Sequence, residues 1–157
     1  MLGSFAVGKT SLVRRFVESI YSDTYQTTVG VKIDKKVVRS GENEVTLVVW
    51  DLYGEDDFQK MKWNYVQGAA GYLLVADGTR LATLERAQEI AAKARGEIGA
   101  VPFIFVLNKH DRIAEWEIDA TQLDELAAGG WNILRSSAKT GEGVEEAFAQ
   151  LTAKMLG

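Results

Sequence analysis

Residues 3–10 are the first segment of the sequence whose residue types and spacing indicate chemistry. They read GSFAVGKT, which fits the pattern GxxxxGK(S/T), and they open a run with the apolar spacing of a helix. Such a loop turns successive N–H groups toward phosphate oxygens, while Lys9 supplies a cation and the Thr10 hydroxyl a ligand for Mg²⁺. The alternative is a glycine-containing turn before a helix. The predicted phosphate-binding residues are Gly3, Ala6, Val7, Gly8, Lys9, Thr10 and Ser11.

A second candidate segment is Asn108-Lys109-His110-Asp111, which ends the apolar run PFIFVLN. A fixed carboxylate at Asp111 can accept two hydrogen bonds, from the ring N–H and the amino group that only guanine offers on one edge. Sites built around such bonds reject the wrong partner by roughly 10⁴-fold. The alternative is a polar turn that caps a helix. We interpret His110 as a solvent-facing spacer rather than a catalyst.

Two weaker motifs also follow apolar runs. Asp51 can hold Mg²⁺ through water, and the N–H of Gly54 can approach a terminal phosphate because no side chain blocks it. Ser137-Ala138-Lys139 offers a backbone N–H to a base carbonyl oxygen. Each motif alone is typical of an ordinary turn. Their order and their common position after strand-like runs make them informative together.

The elements that must position these residues alternate along the chain. Strand-like runs occupy residues 44–51, 71–77, 102–108 and 131–136, and three of them are apolar almost throughout, as expected of strands buried on both faces. Helical spacing occurs at residues 9–19, 81–98, 120–128 and 142–155. Alternation of this kind predicts a mostly parallel sheet covered by helices, with ligands at the carboxyl ends of the strands. Residues 31–40 alternate apolar and charged side chains, which predicts an edge hairpin with the next strand.

Composition narrows the function classes. The 157 residues predict one domain, and the formal net charge of −4 gives no electrostatic basis for nucleic acid as a partner. The absence of cysteine excludes thiol chemistry and lipid attachment to cysteine in this chain, and a single histidine excludes a two-histidine metal site. We expect a cytoplasmic protein, since no signal or membrane-spanning segment is evident.

Only Met1 and Leu2 precede the first glycine, so we expect the first strand to be truncated and the chain to begin upstream; a stub strand is the alternative.

Taken together, these motifs resemble the small GTPases of the Ras superfamily, most of all the Rab branch, over nearly the whole chain. The resemblance implies a three-layer P-loop NTPase fold for residues 1–157, as a single G domain. Its sheet would be mostly parallel, with about six strands, one antiparallel edge hairpin and helices on both faces. The implied ligands are GTP or GDP with Mg²⁺. The implied partners are an effector, an exchange factor and an activating protein, none of which the sequence identifies.

The resemblance also assigns residues that spacing alone does not. Thr28 matches the threonine that binds Mg²⁺ and senses the γ-phosphate, Tyr21 an aromatic residue at the guanine edge, and Tyr25 a tyrosine that covers the phosphates. Residues 55–67 would form the second switch. The catalytic assignments are then Glu55, Lys9 and Gly54.

The chain departs from the family pattern at several positions. Glu55 stands where the family usually has the glutamine that orients water, and Phe5 where the most-studied members have glycine. Of three aromatic residues that shape the effector surface in Rab-like proteins, Trp50 and Tyr65 match and Ile33 does not; the alternative for Trp50 and Tyr65 is a plain core role. No lipidated tail follows the last helix, which we interpret as an excised domain, a prokaryotic relative or a member without an anchor.

We therefore expect a GTP-binding switch that hydrolyses GTP slowly without a partner. One rival is a module that binds GTP with little or no hydrolysis, which the changes at Phe5 and Glu55 would permit. Another is the G domain of a larger multidomain protein. A small-molecule kinase is disfavoured, because Asn108, Lys109 and Asp111 would then have no role.

Overall fold

The computed structural model describes residues 1–19, 31–52 and 63–157. The strands are β1 (Leu2–Gly3), β2 (Val31–Ser40), β3 (Asn43–Leu52), β4 (Tyr72–Asp77), β5 (Phe103–Asn108) and β6 (Ile133–Arg135). The α-helices are α1 (Lys9–Glu18), α2 (Leu81–Ile98), α3 (Ala120–Ala128) and α4 (Val144–Leu156). Two short 3₁₀ helices span Trp63–Tyr65 and His110–Glu115.

The apolar runs form the centre of a parallel sheet. Its order is β1-β4-β5-β6, and Leu74 of β4 lies between Leu2 of β1 and Phe105 of β5. Strands β2 and β3 form an antiparallel hairpin in which Ile33 pairs with Trp50. Within the described ranges this gives six strands. The predicted mostly parallel sheet with an antiparallel hairpin is confirmed.

Alternating residues of β4 separate the core into two halves. Leu73 and Val75 pack in a cluster with side chains of α1 and α4, whereas Leu74 and Ala76 pack in a cluster with side chains of α2 and α3. Successive side chains of a strand point to opposite faces, so a strand covered on both sides must be apolar throughout. The first five residues of the run YLLVAD meet this requirement, its last residue is the buried Asp77, and the resulting three layers match the predicted architecture.

Helix α1 is fixed against α4 by an aromatic stack. The rings of Phe16 and Phe148 are parallel, with centroids 3.8 Å apart, and both side chains are buried. Lys36 of β2 donates to the carbonyl oxygen of Phe16 at the end of α1. These contacts fix the axis of α1 and therefore the direction in which its first turn points.

The ends of several elements differ from the sequence expectation. Helix α4 begins at Val144 rather than at residue 142, because Gly143 before it has a left-handed backbone with φ 71°. Strand β6 covers Ile133–Arg135, half of the predicted run. Strand β1 is two residues long, and beside it an apolar groove of about 620 Å³ lies between β3, residues 64–73 and the end of α4. Among the described helices, none is both long and apolar enough to cross a bilayer.

Candidate functional site

The phosphate loop, residues 3–10, joins β1 to α1 and requires glycine at two positions. A Cβ on Gly3, which has φ 151°, would lie 2.5 Å from the carbonyl oxygen of Val75. A Cβ on Gly8, with φ 103°, would lie 2.3 Å from Asn108 Nδ2. Ala6 also adopts a left-handed backbone, with φ 60°. Left-handed residues within a turn bring successive N–H groups together into a concave anion site, so this backbone suits phosphate.

Lys9 lies across the phosphate loop. Its side chain is buried, and Nζ donates to the carbonyl oxygens of Gly3 at 3.0 Å and Ser4 at 2.9 Å. The pKa of Lys9 is lowered to about 8, mainly by burial, with Asp51 raising it and the positive charge of Arg80 lowering it by smaller amounts. The Lys9 ammonium group is thus charged at neutral pH, and burial disfavours that charge. A polyanionic ligand beside Lys9 would therefore be stabilising.

Thr10 and Asp51 form the candidate metal site. The Thr10 hydroxyl donates to Asp51 Oδ2 at 2.6 Å, which joins the first turn of α1 to the end of β3. Asp51 is fully buried. A hydroxyl oxygen and a carboxylate oxygen at this spacing are ligands of the kind that Mg²⁺ prefers, so the residues present fit that ion.

Asn108, at the end of β5, links three segments of the site. Its Nδ2 donates to the carbonyl oxygen of Val7 at 3.0 Å, and its Oδ1 accepts from Ser136 Oγ at 3.2 Å and the Ala138 N–H at 3.3 Å. The side chain is 2% exposed. A single buried amide thus holds the phosphate loop against both segments predicted to bind the purine.

Asp111 and residues 137–139 form the candidate purine site. Asp111 Oδ1 accepts from Ser137 Oγ at 2.7 Å, and that hydroxyl oxygen accepts from the Thr140 N–H at 3.1 Å. Arg15 of α1 donates from Nε to the carbonyl oxygen of Ala138 at 2.8 Å and from its guanidinium group to that of Lys139. These bonds orient an exposed carboxylate and a backbone segment beside it.

The comparisons with known proteins agree with this geometry. The Ras family model matches residues 1–157. The chain is 33% identical over 159 residues to the Ras-related protein Rab-4A of Homo sapiens, which covers 99% of this chain and 72% of that protein. It is 32% identical over 158 residues to the Ras-related protein Rab-13 of Bos taurus, which covers 99% of this chain and 78% of that protein.

The chain belongs to the Ras family. Its similarity to Rab-4A and Rab-13 makes it a Rab-like member of the Ras superfamily. Family membership supports the expectation of a small GTP-binding switch, and the predicted resemblance is confirmed.

Several residues assigned by resemblance lie outside the described ranges. They are Tyr21, Tyr25, Thr28, Gly54 and Glu55. Their roles in this Ras-family chain remain predictions. The other predicted site residues lie at the carboxyl ends of β1, β3, β5 and β6 or in the segments that follow them, and hydrogen bonds from Thr10, Arg15 and Asn108 join these segments to one another.

Sequence reasoning missed the Asp77 cluster, which consists of Asp77, Thr79, Arg80 and Lys109. The Asp77 side chain is fully buried and accepts from Lys109 Nζ at 2.8 Å, Arg80 Nε at 3.1 Å, the Thr79 hydroxyl at 2.7 Å and the Thr79 N–H at 2.9 Å. Burial opposes ionisation, but the bonds from Lys109 and Thr79 outweigh it and hold the pKa of Asp77 below its usual value. An acidic residue that ends a buried strand, as Asp51 does, is the signal that could have found it.

His110 and the predicted effector residues lie at the surface of this Ras-family chain. The His110 ring contacts Glu142 through Nδ1 at 2.9 Å, and its side chain is 29% exposed. Trp50, Tyr65 and Ile33 are 38%, 37% and 48% exposed, and the rings of Trp50 and Tyr65 are 6.1 Å apart. The two aromatic side chains therefore form a surface patch beside the hairpin rather than part of the core.

Proposed function

We propose that this Ras-family chain binds GTP and GDP with Mg²⁺ and acts as a switch that hydrolyses GTP slowly without a partner. The observation that carries the proposal is the position of Asn108, whose buried amide joins the phosphate loop to the candidate purine site. A nucleotide is a ligand with a polyanionic end and a purine end, so it can occupy both halves at once.

Guanine is the base that suits the polar groups of the purine site. The Asp111 carboxylate accepts hydrogen bonds and donates none, so it pairs with the ring N–H and amino group of guanine. Adenine presents a ring nitrogen acceptor on that edge and would leave the carboxylate unpaired. We expect the Ala138 N–H to approach the guanine carbonyl oxygen, which requires it to share or exchange its present bond to Asn108.

Mg²⁺ would be held by Thr10 and Asp51, with Thr28 added by the resemblance. Bound there beside the phosphates, Mg²⁺ neutralises their negative charge. Lys9 would exchange the carbonyl oxygens of Gly3 and Ser4 for phosphate oxygens, since a charged acceptor forms the stronger bond.

Hydrolysis is proposed to be slow because of Phe5 and Glu55. The Phe5 side chain is exposed at the phosphate loop, where it can obstruct an arginine supplied by an activating protein. A carboxylate at Glu55 can position water, but its negative charge beside the phosphates is unfavourable. We therefore propose insensitivity to activators of the Ras type. Single-turnover hydrolysis by the Phe5→Gly and Glu55→Gln variants tests this, and strong activation of the unmodified protein would contradict it.

Signalling would depend on partners that distinguish the GTP state from the GDP state. The surface patch of Trp50 and Tyr65, together with Ile33 on the neighbouring strand, is the proposed effector contact, because exposed aromatic and aliphatic side chains suit a protein interface. The resemblance implies an exchange factor as well.

Competition binding tests the nucleotide assignment. We expect GTP and GDP to displace a fluorescent GDP analogue in the presence of Mg²⁺, and ATP to fail at a thousandfold higher concentration. In the Asp111→Asn variant, the amide can donate to the carbonyl group that xanthine has in place of the guanine amino group, so preference should move from GDP to its xanthine counterpart. Equal binding of ATP and GTP would refute the proposal.

A second candidate function is a GTP-binding module with little or no hydrolysis. The exposed Phe5 at the phosphate loop favours it. This candidate predicts that GTP copurifies intact and that no phosphate is released over several hours. Release of stoichiometric phosphate within that time would exclude it.

A further inference from the structure

Arg80 lies between the phosphate loop and the buried end of β4. It precedes α2 as the N-cap residue, and its side chain is 44% exposed. Its Nη2 donates to the carbonyl oxygen of Phe5 at 2.9 Å, and its Nε donates to Asp77 Oδ2 at 3.1 Å. One guanidinium group thus connects a carbonyl of the phosphate loop to a buried carboxylate.

The Asp77 carboxylate, which accepts from Arg80, also contacts Lys109 on the purine side of the site. Lys109 Nζ lies 2.8 Å from Asp77 Oδ2, the same oxygen that Arg80 contacts, and Thr79 fixes the other oxygen. The contacts therefore run without interruption from Phe5 through Arg80 and Asp77 to Lys109. This is a second connection between the two halves of the site, separate from the one through Asn108.

The phosphate loop needs support at this point because Ala6 is strained. Its backbone is left-handed, which costs a residue with a side chain about 1–2 kcal/mol. The carbonyl groups on both sides of Ala6 are held by side chains from outside the loop: Phe5 by Arg80 and Val7 by Asn108. The strained conformation is thus fixed from two directions.

The bond to Phe5 also sets the direction of an N–H group. The Phe5 carbonyl and the Ala6 N–H belong to one planar trans peptide unit and point in opposite directions. While Arg80 holds the carbonyl on its own side, the Ala6 N–H must point away from Arg80. Rotation of this peptide unit would turn the Ala6 N–H away from that direction.

We propose that Arg80 is a positioning residue that keeps the Ala6 N–H directed at the β-phosphate of the bound nucleotide. The inference rests on the proposed guanine-nucleotide site but not on hydrolysis. Its consequence is selective: Arg80 contributes to the affinity for ligands that have a β-phosphate and little to the affinity for a nucleoside monophosphate.

The test compares GDP and GMP by competition in Arg80→Ala, Arg80→Lys and the unmodified protein. For Arg80→Ala we expect GDP affinity to fall about tenfold, the scale of one lost charged hydrogen bond at a half-exposed position, and GMP affinity to change less than threefold. Arg80→Lys retains the charge but cannot make both contacts, so we expect a loss between two- and tenfold for GDP alone. Lys93→Ala, which removes an ion pair to Glu97 on the same helix, is the control and should change neither affinity.

The outcomes separate this inference from the proposed function. Equal losses for GDP and GMP in both variants would mean that Arg80 only stabilises the fold, and unchanged GDP affinity would mean that it does nothing at the site; either result overturns the inference. If Arg80→Ala fails to fold, Arg80→Lys decides by the same comparison. Failure of the unmodified protein to bind GDP would instead refute the proposed function.

Discussion

Replacing Asn108 by alanine should destabilise the protein and separate the two halves of its site. The substitution removes three hydrogen bonds, to the Val7 carbonyl, the Ser136 hydroxyl and the Ala138 N–H, at a position that is 2% exposed. Each group left without its partner costs about 1–3 kcal/mol, and three losses near the low end amount to about 4 kcal/mol. We also expect GDP affinity to fall by at least about a hundredfold, because the phosphate loop and the purine segment lose their common support.

Urea denaturation of the nucleotide-free protein measures the first effect, and competition binding measures the second. Ser136→Ala removes one of the three bonds and should cost about 1 kcal/mol. Asn108→Asp keeps the acceptor for Ser136 and Ala138 but buries a negative charge against the Val7 carbonyl oxygen, so the variant should be no more stable than Asn108→Ala. If Asn108→Ala were no less stable than Ser136→Ala, the reasoning that this amide supports the site would be wrong.

Three further predictions concern single residues. Burial lowers the pKa of Lys9 from 10.5 to about 8, so the buried charge destabilises the folded protein below pH 8, and this cost disappears toward pH 10.5. In urea unfolding of the nucleotide-free protein, the free energy of unfolding should therefore rise by up to about 3 kcal/mol between pH 8 and pH 10.5. A Lys9→Met variant should lack this rise. Trp116→Phe removes the bond from the indole N–H to the Lys109 carbonyl at 2.9 Å, and we expect GDP to dissociate about fivefold faster in stopped-flow measurements, with an unchanged rate counting against this role. Asp119→Ala removes the capping box that Asp119 forms with Gln122 at the start of α3 and should cost about 1 kcal/mol in thermal unfolding without changing GDP affinity.

The sequence is sufficient to predict the fold class because the signals are local. A strand buried on both faces must be apolar along most of its length, and the runs that became β4 and β5 have this property up to their last residues, Asp77 and Asn108. The GxxxxGK(S/T) pattern likewise requires particular backbone angles, and the structure has them at Gly3 and Gly8. The ends of elements were less predictable, as the late start of α4 after Gly143 illustrates, because one left-handed residue decides them.

The contacts that support the site could not be predicted from the sequence. Arg80 and Phe5 are 75 residues apart, and Arg15 and Ala138 are 123 residues apart. Such pairs depend on the packing of whole elements and on the rotamers of long side chains, neither of which leaves a periodic pattern. Asp77 is the intermediate case. Its position at the end of a buried strand could be recognised from the sequence, but the three residues that donate hydrogen bonds to its carboxylate could not.

The supporting contacts share a physical principle. Arg80, Asn108 and Arg15 all donate to backbone carbonyl oxygens of the binding segments, at Phe5, Val7 and Ala138. A peptide unit whose carbonyl is bound on one side presents its N–H on the other, so fixing the acceptors from outside directs the donors inward before any ligand arrives. A nucleotide that meets donors already aligned loses less free energy to ordering the loop. Affinity at such a site therefore depends on residues that never touch the ligand, and substitutions at Arg80 or Arg15 should act through nucleotide binding more than through the stability of the fold.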